Sequence, residues 1–324
     1  MKFIYEVNPP KKKFIMNSIL RNLVMLLSFP FSNENNISKV REAEIYKVIL
    51  KKLHGIKLAK GNIKKTHLDF NKKIKNIIIN KKLTNFLKIG FLQKIFFVHN
   101  RLFIFFELLE LKKKNWSFYK PLLKESPVGD PVRYFLYPNS SGNTINHVYH
   151  LSVLRDCFGV KLKSINSIFE FGGGYGCMAR IFYYLNKKVK YTIFDTSIIN
   201  LLQYYYLKSL NFDVGYKNNQ FRLLNKHKYI KSVKNKKNSL FVANWSLSEV
   251  PLTFRNKFIP TIACHQFFLI SFQATFEEID NYKYFQKISK LLDKKFKIKI
   301  IRNKFYKGHI FKKEHHFFMI GKKK

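Results

Sequence analysis

A glycine-rich turn with a carboxylate on each side contains the residues of this sequence that are best suited to chemistry. Glu170 precedes the run Gly-Gly-Gly-Tyr-Gly at 172–176, and Asp195 follows the next apolar segment. Glycines can adopt positive φ angles and let a ligand approach the backbone. A carboxylate at the tip of the following strand can accept hydrogen bonds from both hydroxyls of a ribose. The spacing therefore predicts a nucleoside-cofactor site. The candidate residues are Glu170, Gly172, Gly173, Gly174, Gly176 and Asp195.

The segments around the turn have the pattern of a strand, a helix and a second strand. Residues 167–171 are a short apolar run with β-branched and aromatic side chains, which predicts a buried strand. Apolar residues recur at helical spacing over 177–185, so the turn is expected to open a helix whose free N–H groups favour an anionic ligand. A second strand is predicted over 190–194, immediately before Asp195. This order indicates an open α/β sheet.

The turn departs from the dinucleotide fingerprint G-x-G-x-x-G. With Glu170 two residues ahead of Gly172, it resembles the E-x-G-x-G signature of class I methyltransferases that use S-adenosylmethionine. The resemblance implies that Glu170 contacts the methionine amino group, that the glycines pass beneath the ligand and that Asp195 holds the ribose. The alternatives are a structural turn without a ligand and a nucleotide-sugar or nicotinamide site.

A segment rich in proline, glycine and polar residues precedes this unit, over 116–151. A loop in this position is expected to cover the cofactor and hold the substrate. Within it a helix is predicted from Thr144 to Phe158, which places His147 and His150 three residues apart on one face. For each histidine a structural or surface role is favoured over a metal pair. The candidate substrate-binding residues are Glu125, Asp130, Arg133, Asn143 and, at the end of a predicted strand over 267–272, Gln273.

A third informative stretch, SLFVANWSLSEVP, covers residues 239–251. Its apolar start predicts a buried strand over 240–243, and ligands of open α/β sheets bind at the carboxyl ends of strands. Asn244 and Trp245 are therefore expected to line the cofactor pocket. Ser248 and Glu249 are expected to face the substrate or, as the favoured alternative, to cap the next helix.

Three motifs occur in a fixed order: E-x-x-x-G-D-P from Glu125, a Tyr-His-Leu helix, and the glycine turn. As an ordered set they resemble the sugar O-methyltransferases of bacterial surface-polysaccharide gene clusters, over residues 116–285. The resemblance implies a class I methyltransferase Rossmann-like sheet with helices on both faces and a closing antiparallel hairpin made of 296–301 and 316–320. It also implies S-adenosylmethionine-dependent methylation of a sugar hydroxyl in a surface glycan or its nucleotide-activated precursor. We predict an auxiliary, mainly helical lysine-rich region over 1–115 and a methyltransferase domain over 116–324, with 116–150 as the covering segment.

A sugar hydroxyl is a weak nucleophile, so a base is expected to take its proton. The candidates are His309, placed first by topology, His147, His315 and Glu249. The sequence shows no carboxylate cluster suited to a divalent metal, so no metal is predicted.

Lysine and arginine number 61 against 19 acidic residues, giving a formal net charge of +42. Such a charge suggests a polyanionic partner. The lysines are, however, spread along the chain among Ile, Asn and Phe, as an AT-rich genome would encode them. We therefore expect a sugar or nucleotide-sugar substrate and favour nucleic acid less. The alternative functions are an RNA methyltransferase and a non-catalytic binding protein with this fold.

Three widely spaced cysteines suggest no disulfide framework. No apolar stretch reaches the length of a membrane-spanning helix, so a cytoplasmic protein is expected. The oligomeric state, the sugar and the modified hydroxyl do not follow from the sequence.

Overall fold

The computed structural model describes residues 37–56, 65–96, 102–230, 236–305 and 315–324. Its α-helices are Lys39–His54 (α1), Lys65–Ile79 (α2), Gly90–Ile95 (α3), Leu102–Lys113 (α4), Trp116–Tyr119 (α5), Gly142–Phe158 (α6), Cys177–Leu185 (α7), Ser197–Ser209 (α8), Leu252–Asn256 (α9), Ile259–Ala263 (α10) and Asn281–Leu292 (α11). Its strands are Arg133–Tyr134 (β1), Tyr137–Ser141 (β2), Ser167–Phe171 (β3), Lys190–Phe194 (β4), Val214–Gly215 (β5), Phe221–Leu224 (β6), Lys236–Asn244 (β7), His265–Gln273 (β8), Thr275–Phe276 (β9), Ile279–Asp280 (β10), Phe296–Arg302 (β11) and His316–Lys323 (β12). Within the described ranges, no helix combines the length and apolar character needed to cross a bilayer.

The chain divides into two compact units. The first contains the described residues up to Asn146 together with 174–176 and 197–213, and the second contains 147–173, 177–196 and the described residues from Val214 onward. The predicted domain boundary between residues 115 and 116 remains a prediction.

The first unit joins helices from distant parts of the sequence. Ser38 caps α1 by accepting a hydrogen bond from the backbone N–H of Arg41. The Arg41 side chain donates to the carbonyl of Lys208, just before the end of α8, at 2.8 Å. Tyr205 of α8 in turn donates to Glu42 Oε1 at 2.5 Å. These polar contacts fix α1 against α8, and the short strands β1 and β2 pair as an antiparallel hairpin in the same unit.

The second unit is built on an eight-stranded, mostly parallel sheet with the order β11-β12-β8-β7-β3-β4-β6-β5. Each neighbouring pair in the part of the sheet ordered β8-β7-β3-β4-β6-β5 is parallel. At the other edge β12 runs antiparallel to β8 and to β11, which confirms the predicted closing hairpin. The fold is therefore the expected α/β class.

Helices cover both faces of this sheet. Phe169 and Phe171 of β3 point into an apolar cluster that Phe258 and Phe285 enter from the helical side. Because side chains alternate along a strand, Glu170 points to the opposite face. On that face the ring centroids of Tyr191 of β4 and Phe182 of α7 are 6.0 Å apart. The ring centroids of Phe318 of β12 and His150 of α6 are 4.8 Å apart. Helices α6 and α7 therefore cover the face that carries Glu170.

The structure corrects two predicted element boundaries and one predicted capping role. Helix α6 begins at Gly142 and not at Thr144, because the Ser141 hydroxyl accepts from the Thr144 backbone N–H at 3.2 Å. The fifth predicted strand is longer than 267–272 and covers His265–Gln273. The capping role of Ser248 and Glu249 is wrong, since α9 begins at Leu252 after Pro251 without a side-chain cap. The strands over 167–171 and 190–194 and the helix over 177–185 are confirmed.

The strand order defines a topological switch point between β3 and β7. From β3 the chain builds outward to β4, and it returns later to place β7 on the other side of β3. Open α/β sheets bind ligands in the crevice beyond the carboxyl ends of the strands at such a point. The residues that follow β3 and β7 are therefore the first place to look for a site.

Candidate cofactor-binding and catalytic site

The turn after β3 is held tightly by protein atoms. The Gly172 backbone N–H donates to the Phe194 carbonyl at 2.8 Å, and Gly172 has a φ of 71°. A Cβ at Gly172 would lie 2.2 Å from Cβ of Ser246, and one at Gly173 would lie 2.6 Å from the Ile193 side chain. Ser246 Oγ also donates to the Phe171 carbonyl. Packing within the protein is thus sufficient to require these two glycines.

The next part of the turn, Gly174 to Gly176, belongs to the first unit. Gly174 and Gly176 both have positive φ angles, 56° and 103°. The Tyr175 hydroxyl accepts from Asn143 Nδ2 at 3.0 Å, and Gln203 donates to the Gly174 carbonyl at 2.9 Å. Asn143, a predicted substrate residue, therefore supports the turn in this structure. The cofactor role of Gly174 and Gly176 stays a prediction.

Glu170, predicted to hold the cofactor amino group, is buried on the α6/α7 face of the sheet. Its Oε2 accepts from the Tyr191 hydroxyl at 2.9 Å. Burial raises the pKa of the Glu170 carboxyl to about 8; the Tyr191 bond lowers it and the nearby Asp195 raises it. The carboxyl is therefore mostly protonated at neutral pH, and a cationic group beside it would favour its ionised form.

Asp195, the predicted ribose ligand, follows β4 at the same sheet edge. Its backbone N–H donates to the Leu224 carbonyl at 2.9 Å, and its Oδ1 accepts from the Thr196 N–H at 2.8 Å. The side chain is half-buried. Since the neighbouring Phe194 carbonyl receives the Gly172 N–H, the Asp195 backbone lies beside the start of the glycine turn.

Asn244 and Trp245 lie across the switch point, at the end of β7. The Trp245 N–H donates to the Ser271 carbonyl at 2.8 Å, and its φ of 60° is rare for a large non-glycine residue. Such backbone strain clusters at ligand sites. The Trp245 ring lies 5.7 Å from the rings of both His150 and His316. The structure thus brings both predicted residues to the crevice next to β3.

A histidine pair from α6 lies on the same face. His150 Nδ1 is 3.0 Å from Asn244 Oδ1, and the rings of His147 and His150 are 6.4 Å apart. Burial lowers the pKa of His147 to about 3, helped by His150 and Arg180. Burial lowers the pKa of His150 to about 4, while the Asn244 bond raises it. Both imidazoles are neutral at physiological pH, and the described ranges contain no group of three or more metal-binding side chains.

Two other predicted bases, Glu249 and His315, are among the described residues. Burial raises the pKa of Glu249 to about 7, against the lowering effects of Gln273 and Arg255. Gln273 also lies 2.8 Å from the Ser248 hydroxyl. His315 precedes β12, and its carbonyl accepts from the Ala274 N–H at 2.8 Å. His309 lies outside the described residues.

The predicted substrate residues of the 116–150 segment fall into two groups. Glu125 and Arg133 line a cavity of about 420 Å³, together with Lys120, Lys124 and Tyr137. Asp130 instead forms an ion pair with Lys88 at 2.5 Å. The segment thus contributes Glu125 and Arg133 to a cavity that Asp130 does not line.

His150 makes a contact with Asn244 that the sequence alone does not predict. The three-residue spacing of His147 and His150 in the sequence favours a structural role for both. The missing information was the position of Asn244, 94 residues later. The sequence signal that could have indicated this contact is a histidine on the helix before the first strand, combined with a polar residue at the tip of a buried strand.

No protein-family model and no curated protein sequence matches the chain. Partial likenesses exist among solved structures. A protein from Thermoplasma acidophilum aligns with a TM-score of 0.38 and 11% identity over 56% of this chain and 89% of that chain. Phosphoethanolamine N-methyltransferase 2 of Haemonchus contortus, in complex with phosphomonomethylethanolamine and S-adenosylhomocysteine, aligns with a TM-score of 0.39 and 13% identity over 54% of this chain and 52% of that chain. An rRNA methylase from Streptococcus thermophilus aligns with a TM-score of 0.36 and 14% identity over 50% of this chain and 91% of that chain.

We expect Gly172→Ala to destabilise the protein more than Gly159→Ala. Both positions have positive φ angles, but a Cβ at Gly159 meets nothing within 4 Å, whereas one at Gly172 collides with Ser246. Gly159→Ala should cost about 1 to 2 kcal/mol from the backbone conformation alone. Gly172→Ala should cost about 1 to 3 kcal/mol more from the collision. Urea unfolding measures both, and equal losses would show that Ser246 does not constrain the turn.

Proposed function

We propose that the chain is an S-adenosylmethionine-dependent O-methyltransferase acting on a hydroxyl of a sugar in a surface glycan or its nucleotide-activated precursor. The observation that carries the proposal is the crevice at the switch point. There Glu170 and the start of the glycine turn lie on β3, Asn244 and Trp245 lie at the end of β7, and Asp195 follows β4. This is the place where open α/β sheets bind nucleoside ligands.

The chemistry of these side chains fits the cofactor. Glu170 would hold the amino group, and Asp195 would accept from the ribose hydroxyls. Asn244 Nδ2 is buried without a hydrogen-bond partner in the structure, so it is suited to donate to a carboxylate or hydroxyl oxygen of a ligand. When bound, the cofactor supplies an electrophilic methyl group.

The protein's own contribution is alignment, exclusion of water and proton removal. The proposed bases are His147, His309, His315 and Glu249. Glu249 has a pKa raised to about 7 by burial, which suits proton transfer at neutral pH. His147 is neutral at that pH, and its pKa of about 3 makes it a weaker base than Glu249.

The 420 Å³ cavity supports an anionic substrate. Lys120, Lys124 and Arg133 line it against one acidic residue, Glu125. Both Glu125 oxygens are already engaged: Oε1 accepts from the Ser126 N–H at 2.9 Å, and Oε2 accepts from the hydroxyls of Ser141 and Thr144. The carboxylate is thus turned to the protein while cations line the cavity. A nucleotide-activated sugar, which carries phosphates and fits pockets of this size, suits this lining.

RNA methylation is the second enzyme function to consider, because the formal charge of +42 favours a polyanion. A binding protein without catalysis is the third. We also propose a cytoplasmic location, which the three free cysteines support.

We expect the full chain to bind S-adenosylmethionine and Asp195→Ala to weaken that binding about 10-fold or more, or on the order of 1.4 kcal/mol. The reason is the loss of the carboxylate that accepts from the ribose. Isothermal titration calorimetry measures both affinities. Asp293→Ala, which removes an exposed carboxylate at the end of α11, is the matched control and should bind normally. An absence of binding by the unmodified chain would remove both enzyme functions.

Cofactor binding at pH 6.5 should release about one proton. Glu170 is mostly protonated in the free protein because its pKa is raised to about 8, and a bound ammonium group would favour the carboxylate. Affinity should therefore increase as the pH rises toward 8, by at most about tenfold per pH unit. Calorimetry in buffers of different ionisation enthalpy counts the proton. Glu170→Gln should abolish the release, and release that persists in this variant would assign the proton to another group.

We expect the full chain to transfer a labelled methyl group from S-adenosylmethionine to a sugar hydroxyl of at least one of UDP-glucose, UDP-galactose and GDP-mannose. The double variant Lys120→Glu/Lys124→Glu should raise KM for the accepted sugar about 10-fold or more, because it reverses the charge of two residues that line the cavity. Lys163→Glu changes an exposed lysine away from that lining and is the control. Label that instead enters an RNA oligonucleotide, with a steep salt dependence, would favour the RNA methyltransferase.

A further inference from the structure

We infer that His150 is the general base of the proposed methyl transfer and that Asn244 is the residue that positions it. The inference rests on the proposed function and deepens it, since it replaces four candidate bases with one that was not among them. Its observations come from β7, β8, β12 and the part of α6 from His147 onward, all in the second unit.

The hydrogen bond between the two side chains defines the tautomer of His150. Asn244 Oδ1 lies 3.0 Å from His150 Nδ1 and 3.2 Å from the Ser271 hydroxyl. In this orientation of the Asn244 amide its oxygen faces the ring and only accepts hydrogen bonds, which assigns the hydrogen of the neutral imidazole to Nδ1. The lone pair is therefore on Nε2. A base that takes a proton needs such a nitrogen lone pair, held in one orientation by a bond to the other nitrogen.

Nε2 of His150 is buried and has no hydrogen-bond partner in the structure. The residue is 0% exposed. A buried polar atom without a hydrogen bond is unfavourable, and a ligand that supplies a donor would satisfy it. Asn244 Nδ2 is also buried without a partner. One side chain of the pair offers an acceptor and the other a donor, and a hydroxyl group can engage both.

The position of the pair in the sheet matches the crevice. Val242 of β7 lies opposite Glu170 of β3, so Asn244 is two residues further toward the carboxyl edge and on the same face as Glu170. His150 approaches that face from α6, with its ring 4.8 Å from the Phe318 ring and 5.7 Å from the Trp245 ring. The imidazole thus lies against apolar rings on two sides and against Asn244 on the third.

Burial is what keeps His150 neutral, and the groups that face it are the following. His147 lies on its own helix at 6.4 Å between ring centroids, Arg180 of α7 acts on His147, and His316 of β12 lies beyond the Trp245 ring. From β7 and β8 the facing groups are Asn244 and Ser271, which are uncharged. Burial lowers the pKa of His150 to about 4, so the lone pair is available throughout the physiological range.

In the proposed step, a hydroxyl oxygen of the acceptor forms a bond to the methyl carbon as the carbon–sulfur bond of the sulfonium donor breaks. The electron pair of that bond stays on sulfur, which becomes a neutral thioether. The hydroxyl proton passes to Nε2 of His150, and Asn244 Oδ1 accepts from Nδ1–H of the imidazolium that results.

The first test measures the tautomer in the full chain and needs no acceptor. With histidine nitrogens labelled, two-dimensional NMR should show His150 with a protonated Nδ1 and a bare Nε2, and with no titration between pH 5.5 and 8. The signal is assigned by its absence in His150→Gln. A proton on Nε2, or a pKa near the ordinary 6.5, would overturn the inference.

The second test measures methyl transfer to whichever nucleotide sugar the unmodified chain accepts. His150→Ala should lower kcat about 100-fold or more while the dissociation constant for S-adenosylmethionine changes less than about 3-fold. His227→Ala removes a histidine that bonds the Lys257 carbonyl, and it should keep full activity. Retained kcat in His150→Ala, or a comparable loss in His147→Ala alone, would overturn the assignment.

Asn244→Asp separates a positioning role from a structural one. A carboxylate facing Nδ1–H stabilises the imidazolium, so the acidic limb of the rate profile should move to higher pH than in the unmodified chain. An unmoved limb in an active Asn244→Asp variant would contradict the pairing. Failure of S-adenosylmethionine to bind the unmodified chain would instead count against the proposed function, and the tautomer measurement would still decide on His150.

Discussion

The pairing of β3 with β4 on one side and with β7 on the other is the constraint on which the second unit depends. In this register Glu170 lies between Ile193 and Val242. A shift of one residue would exchange the two faces of a strand, moving Glu170 into the apolar cluster of Phe169 and Phe171. The burial of phenylalanines on one face therefore fixes the direction of the only carboxylate in β3. The positions of Gly172 and Asn244 follow from the same pairing.

The two faces of the sheet have different characters. The face covered by α9, α10 and α11 is closed by apolar contacts, such as the stacked rings of Phe171 and Phe194 at 5.6 Å. The face covered by α6 and α7 contains Glu170 and Asn244, with His150 packed against it. Buried polar groups are costly unless they find partners. On the first face the buried Arg255 donates to the carbonyls of Val250 and Ser248 and to Asn281. On the second face His150 Nε2 and Asn244 Nδ2 are buried without a partner, which makes this face the one suited to bind a ligand.

The strand, helix and strand over 167–194, the strands around 240–243 and 267–272 and the closing hairpin could be predicted from sequence, because apolar periodicity and the glycine turn mark them. The two-residue strands β9 and β10 could not. The start of α6 could not, since Ser141 caps the helix from an antiparallel strand that the sequence pattern did not show. The site residues at strand tips, Glu170 and Asn244, follow from the position of strands alone. The bond of Asn244 to His150 does not, because it joins elements separated by 94 residues and depends on how α6 packs on the sheet. The tight packing of Ser246 on Gly172 was equally hidden. This packing shows that a neighbouring side chain, as well as a ligand, can require a glycine.

Burial acts in opposite senses on the ionisable groups of the second unit, and the result is a site with little charge. It raises the pKa of Glu170 to about 8 and that of Glu249 to about 7, and it lowers the pKa of His150 to about 4. At neutral pH, Glu170 and His150 are therefore both largely uncharged. A ligand that carries an ammonium group would change this state by favouring the Glu170 carboxylate. The negative charge would then form only when a cation is present to stabilise it, while the neutral imidazole keeps the lone pair that a proton transfer needs. Near neutral pH the charge of Glu170, and not that of His150, is therefore the one that responds to a nearby cation.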